Sequence, residues 1–301
     1  MNVRTLVFGG ILSAVFAMIA LFPLTAEEGA DGALPAEQAA ETSEQAPDAA
    51  ITLAPESDPA AEASRFRIDS TLTIEREEEI VKIKSSTIFS DKMVFDFIGD
   101  NGEIIVYHRT KGLFTLLDPI HRVQTELKQS EIDEFLANIS GALIEEKNKF
   151  CLFMLNPVFE ISRNDELGEM IFESKWVDYR IASRQFDAVE LAGDYFEFSD
   201  AYSRLNVYLN PGTLTPLARI KVNETLRAET RFPEKISVAV YPKGKWLFAK
   251  MVQFQSEHKI VRRLSENDRG RMLRALLFSR QFPKMTFGKY YQTVNSSDQK
   301  R

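Results

Sequence analysis

Residues 27–64 contain no lysine or arginine, and the whole 301-residue chain has one cysteine and three histidines. A single thiol, Cys151, excludes an intramolecular disulfide. It sits in the apolar run Phe150–Leu155 and reads as a buried, inert side chain. His108, His121 and His258 are scattered, without a His-Glu-x-x-His or Cys/His spacing, so no zinc site is expected. Gly-x-Ser-x-Gly and a phosphate-cradling glycine loop are also missing, and no activated nucleophile assembles from local motifs. The acidic stretch Asn164-Asp165-Glu166 with Glu169 lacks the calcium-loop spacing and reads as a solvated turn. No catalytic residue, metal or cofactor is expected, and the chain reads as non-enzymatic.

Charge of one sign is also scarce where it would matter. The net charge is −7, but residues 27–64 hold ten carboxylates and no base, which leaves residues 65–301 close to +2. That near-neutral balance argues against a nucleic-acid partner, which needs a basic face.

What is present begins with Arg4 and the apolar run Leu6–Leu24, broken by Pro23 and followed by Glu27 and Glu28. The run lies between a signal h-region and a full membrane span in length. Residues 1–26 read as a signal cleaved after Ala26 or as an uncleaved N-terminal anchor that touches the membrane through residues 6–24. In either case the charge order sends the C-terminal bulk across the membrane. No cysteine stands directly after the run, which excludes a lipoprotein signal. Residues 27–64 are Ala-, Glu- and Pro-rich and poor in large apolar side chains, the composition of a disordered spacer. The expected location is therefore extracytoplasmic, periplasmic or secreted.

From residue 65 the pattern is strand after strand. Ile68, Ser70, Leu72 and Ile74 alternate with Arg67, Asp69, Thr71 and Thr73, a period of two. Strands follow over 80–89, 93–98, 103–108, 112–118 and 122–127, joined by Asp91-Lys92, Gly99-Asp100-Asn101-Gly102 and similar short turns, so neighbours are antiparallel. Apolar spacing predicts a helix over 131–147, with Ser130 and Asp133 as its capping pair. Further strands are expected at 169–172, 176–183, 195–198, 204–209, 217–222, 236–240 and 246–254. A second helix is expected over 266–280, capped by Ser265. Residues 65–290 read as one folded domain and 291–301 as a polar tail. The fold class is α+β: a large twisted antiparallel sheet or incomplete β-barrel covered by helices.

The stretch Thr87–Phe135 contains Phe-Ser-Asp-Lys-Met-Val-Phe-Asp-Phe, then Gly-Glu-Ile-Ile-Val-Tyr, then Gly-Leu-Phe-Thr-Leu-Leu-Asp-Pro, then Glu-Leu before a capped helix. Over about fifty residues it resembles the LolA-like superfamily, exported half-barrels that include periplasmic lipoprotein carriers. The resemblance implies an apolar cavity lidded by helices that takes a lipid, an acyl chain or a lipoprotein. Met93, Phe95 and Phe97 share one side of a strand, and with Leu116, Phe196 and Phe198 they are the expected cavity lining. The alternative is an envelope interaction or sensor protein that uses the sheet as a docking surface. A filled interior favours that alternative; a contiguous apolar hollow favours the carrier.

Overall fold

The computed structural model describes residues 66–76, 79–99, 102–146, 148–211, 213–241 and 252–296. The expected signal or anchor and the spacer lie outside the described residues. Eleven strands form one open antiparallel sheet in the order β6-β5-β4-β3-β2-β1-β11-β10-β9-β8-β7, and six helices pack on it. The fold is α+β with an unclosed sheet.

The first half is a meander: β1 (Phe66–Arg76), β2 (Glu79–Ser90), β3 (Met93–Ile98), β4 (Glu103–His108), β5 (Leu113–Asp118) and β6 (Val123–Lys128). The chain then forms α1 (Gln129–Glu145) and α2 (Lys149–Leu155) before β7 (Glu160–Asn164), β8 (Glu169–Glu173) and β9 (Val177–Gln185). Two further helices, α3 (Val189–Leu209) and α4 (Leu217–Ala228), precede β10 (Arg231–Val240) and β11 (Val252–Val261). The chain ends in α5 (Glu266–Gln281) and α6 (Phe287–Ser296). The two halves join where β1 pairs with β11, with Ser70 opposite His258 and Leu72 opposite Ser256.

Period-two alternation assigns each strand residue to one of two faces. The inner face carries Phe66, Ile68, Leu72 and Ile74 of β1, in register with Phe89, Thr87, Ile83 and Val81 of β2. It is covered by α3, whose Tyr195, Phe196, Phe198, Tyr202, Leu205 and Leu209 are all buried. The Phe198 ring meets Phe89 at 5.7 Å and Tyr107 at 6.1 Å; Tyr195 meets Phe232 of β10 at 5.6 Å. α1 lies on α3 through Phe135 against Tyr208 at 4.9 Å, and Phe287 of α6 closes on Tyr208 at 5.1 Å. The outer face of β2–β5 carries Ile88, Phe95, Phe97, Ile104, Val106 and Leu117, which pack under Ala275 of α5 and the following Phe282.

α3 corrects two expected strands, 195–198 and 204–209, and α4 corrects a third, 217–222. α3 carries one narrow polar stripe at helical spacing, Glu190, Asp194, Glu197, Asp200 and Arg204, with buried residues over most of the rest of its surface. Its Tyr195-Phe196-Glu197-Phe198 stretch mimics strand alternation. α1 is capped not by Ser130 and Asp133 but by Lys128, whose backbone N–H donates to the Glu131 carboxylate at 2.9 Å. α6 carries ordered structure past residue 290: Tyr290 and Val294 are buried against the core, so the polar composition of the tail hides an apolar side. Ser265 caps α5 as expected, in a box with Asp268.

The two edges of the sheet differ. At β6, the Gln124 N–H donates to the Pro283 carbonyl at 3.2 Å and its carbonyl accepts from the Met285 N–H at 2.9 Å, which covers the edge at that residue. At β7 all five residues are exposed and pair on one side with β8. The β7–β8 turn needs Gly168 (φ +64), where a Cβ would stand 2.8 Å from the Ser183 carbonyl oxygen.

Candidate functional site

The six expected cavity residues do not share a side. Met93, Phe95 and Phe97 point to the outer face, where α5 covers them. Leu116 points to the inner face, and Phe196 and Phe198 reach that face from α3 rather than from a strand. The reason is that both faces of β3 are covered, with Val94, Asp96 and Ile98 on one and Met93, Phe95 and Phe97 on the other, so alternation groups its residues correctly without saying which group faces inward. Phe196 and Phe198 are buried in the interior.

Two arrangements of polar groups stand out. The first is inside. Arg219 of α4 is 0% exposed, and its Nη2 donates to the Tyr195 hydroxyl at 3.4 Å. Nearby, His258 of β11 is held between the Ser70 hydroxyl at 2.9 Å and the Ser256 hydroxyl at 3.0 Å. Burial, then the Arg219 charge, pulls His258 down to about 3, so it is neutral near pH 7. Farther along the same face Asp96 accepts from the Thr87 hydroxyl at 2.7 Å. Burial pushes the Asp96 carboxyl up to about 6, against the pull of that hydroxyl.

The second arrangement is outside. A cleft of about 650 Å³ opens on the outer face of β2, β1, β11 and β10 beside α5. Its lining alternates in sign: Lys84, Lys259 and Arg271 against Asp69, Glu234 and Glu257. Strand register places Asp69 opposite Lys259, and Lys235 lies 3.9 Å from Glu257. The Arg271 guanidinium stacks over the Phe97 ring at 4.0 Å and donates to the Ser86 hydroxyl at 3.2 Å. The α5 wall is pinned by Asp268, a fully buried carboxylate. It accepts from Arg67 Nη1 at 2.8 Å and from the Ser265 N–H at 2.9 Å. Burial alone would raise its pKa, but these bonds outweigh burial and hold it below the usual carboxylate value.

Sequence reasoning missed Arg219 and Asp96. On α4, Arg219 shares a face with Val222, Asn223 and Leu226, a stripe visible once the segment is read at helical spacing. Asp96 sits in an ordinary period-two position of β3, and no residue pattern marks it. Among the described residues no group of three His, Cys, Asp or Glu side chains is placed to hold a metal ion. No protein-family model and no curated protein matches this chain.

Proposed function

We propose that the chain is an exported, non-enzymatic interaction domain that binds a partner polypeptide in the outer cleft beside α5. The observation that carries this reading is the contrast in room. The inner face is packed by the aromatic side chains of α3, whereas the outer face offers an open cleft with charges of both signs at cross-strand spacing. Such a lining suits an extended polypeptide segment that itself carries both signs, because each misplaced like charge weakens a wrong partner. Export rests on the order of Arg4, the apolar run and the acidic spacer. The carrier reading that the LolA-like resemblance implies would place its ligand on the inner face, where thirteen residues of α3 are buried.

The test is native mass spectrometry and cross-linking of the full chain purified from its source. The expected result is a polypeptide cross-linked at Lys84, Lys235 or Lys259, lost in the variant carrying Lys84→Glu and Lys259→Glu. A stoichiometric lipid adduct, together with saturable uptake of a fluorescent fatty acid, would replace this reading with the carrier.

A further inference from the structure

A buried guanidinium ordinarily has a carboxylate beside it, because an unpaired ion in the interior costs far more than a paired one. Arg219 has none within ion-pair distance among the described residues. Of its five N–H donors, the one on Nε and the two on Nη1 meet no protein acceptor. The hydroxyl of Tyr179, also fully buried, is likewise without a partner. The ionisable groups that feel the Arg219 charge are Tyr179, Tyr195 and His258. Burial raises both phenols and lowers the imidazole, so all three are neutral near pH 7 and none balances the cation.

The helix adds to the imbalance. Arg219 lies in the first turn of α4, where Pro216 gives no side-chain cap and no acidic residue is present. The positive end of the helix dipole lies there, which disfavours a cation and favours an anion. Two independent features therefore call for the same missing charge.

We propose that Arg219 anchors a buried site for an oxyanion, a carboxylate or phosphate group, between the first turn of α4 and the inner faces of β9 and β11. The Nε and Nη1 donors bind its oxygens, and the Tyr179 hydroxyl adds a neutral donor. Neither Arg219 nor Tyr179 lines the outer cleft. Its ligand is either a free small anion or the acidic head of a larger molecule.

Thermal unfolding of the full chain in an anion-poor zwitterionic buffer tests this, with phosphate, acetate, dodecanoate or dodecanol as the added probe. The expected result is a saturable rise in Tm of several degrees with an oxyanion, abolished in Arg219→Met. Without added anion, Arg219→Met should melt no earlier than wild type, because it removes an unpaired buried charge. A response to phosphate or acetate identifies a free ion. A response to dodecanoate alone, with dodecanol inert, identifies the head of a lipophilic ligand. No saturable shift with any oxyanion, or the same shift in Arg219→Met, overturns the site. Should Arg219→Met fail to fold, Tyr179→Phe decides. It should raise the half-saturating anion concentration several-fold, and an unchanged value refutes the site.

Discussion

The two faces of the one sheet solve different problems. The inner face is covered: α3 buries thirteen of its 21 residues, and among the described residues some polar side chains there pair with one another while others have no protein partner. The outer face is divided. α5 buries two of its 16 residues, Asp268 and Ala275, and beyond it the ladder of Lys84, Thr71, Glu257 and Lys235 stays in water. Burial on the inner face is a matter of volume, whereas α5 is held as much by the Asp268 bonds as by apolar contact. Stability should therefore depend on the inner face, and substitutions near the outer cleft should leave the fold standing.

The sharpest way to break that contrast is to truncate one aromatic ring on each face. Phe198→Ala removes a ring packed against Phe89, Tyr107 and Tyr202 and should cost about 3–5 kcal/mol. Phe97→Ala, at the rim of the cleft, leaves space that Arg271 and α5 can settle into, and should cost less than Phe198→Ala, at or below the low end of that range. Equal losses in urea unfolding would mean that the faces carry similar loads.

Acid titration separates the inner face in a second way. His258 falls from 6.5 to about 3 on folding, so the unfolded chain takes up that proton first. Its contribution is complete above pH 6.5 and is lost as the pH falls towards 3. Asp96 rises from 3.8 to about 6, so the folded chain holds that proton more tightly. Its contribution is complete below pH 3.8 and is lost as the pH rises through 6. Relative to wild type, His258→Gln should gain stability as the pH falls from about 6.5 to 4, and Asp96→Asn should gain as it rises from about 4 to 7. Urea midpoints across that range check both signs, and a reversed slope in either variant contradicts the assignment.

Asp268→Ala should cost about 2 kcal/mol, since it removes the carboxylate half of the α5 capping box and leaves Arg67 without its buried partner. The loss should be local. Amide exchange should quicken in α5 while α3 stays protected, and equal loosening of both helices would argue that the two faces unfold as one. The smallest effect is expected in the cleft. Lys84→Glu should change stability by less than about 0.5 kcal/mol, because it is a solvated position. A larger loss would make the outer ladder structural rather than a recognition surface.

Much of the sheet was legible because its turns are punctuated. Asp91-Lys92 and the glycines at 99, 102 and 112 break the chain into strands whose alternation is plain, and Ser265 announces α5. The glycines at those three positions all take positive φ, as such turns require. What was not legible has two causes. On α3 the polar stripe of Glu190, Asp194, Glu197, Asp200 and Arg204 recurs at helical spacing, but the local Tyr195-Phe196-Glu197-Phe198 alternation masks it; both sides of β3 are buried, so the six proposed lining residues were divided between opposite sides of the sheet. β7 was missed for the reverse reason, because its five exposed residues carry no apolar alternation to read. Arg219 was illegible because a lone arginine in a segment taken for a strand looks like a solvated charge.

The unequal edges of the sheet set how many partners it can add by strand pairing. A sheet bare at both ends can stack copies without limit, in the manner of a fibre. Here the Pro283–Met285 segment pairs with the β6 end at Gln124, so among the described residues that end offers less free backbone than β7. Two copies that meet through β7 would use up the barer edge of each. The short segment after α5 thus biases growth by strand addition towards a single step.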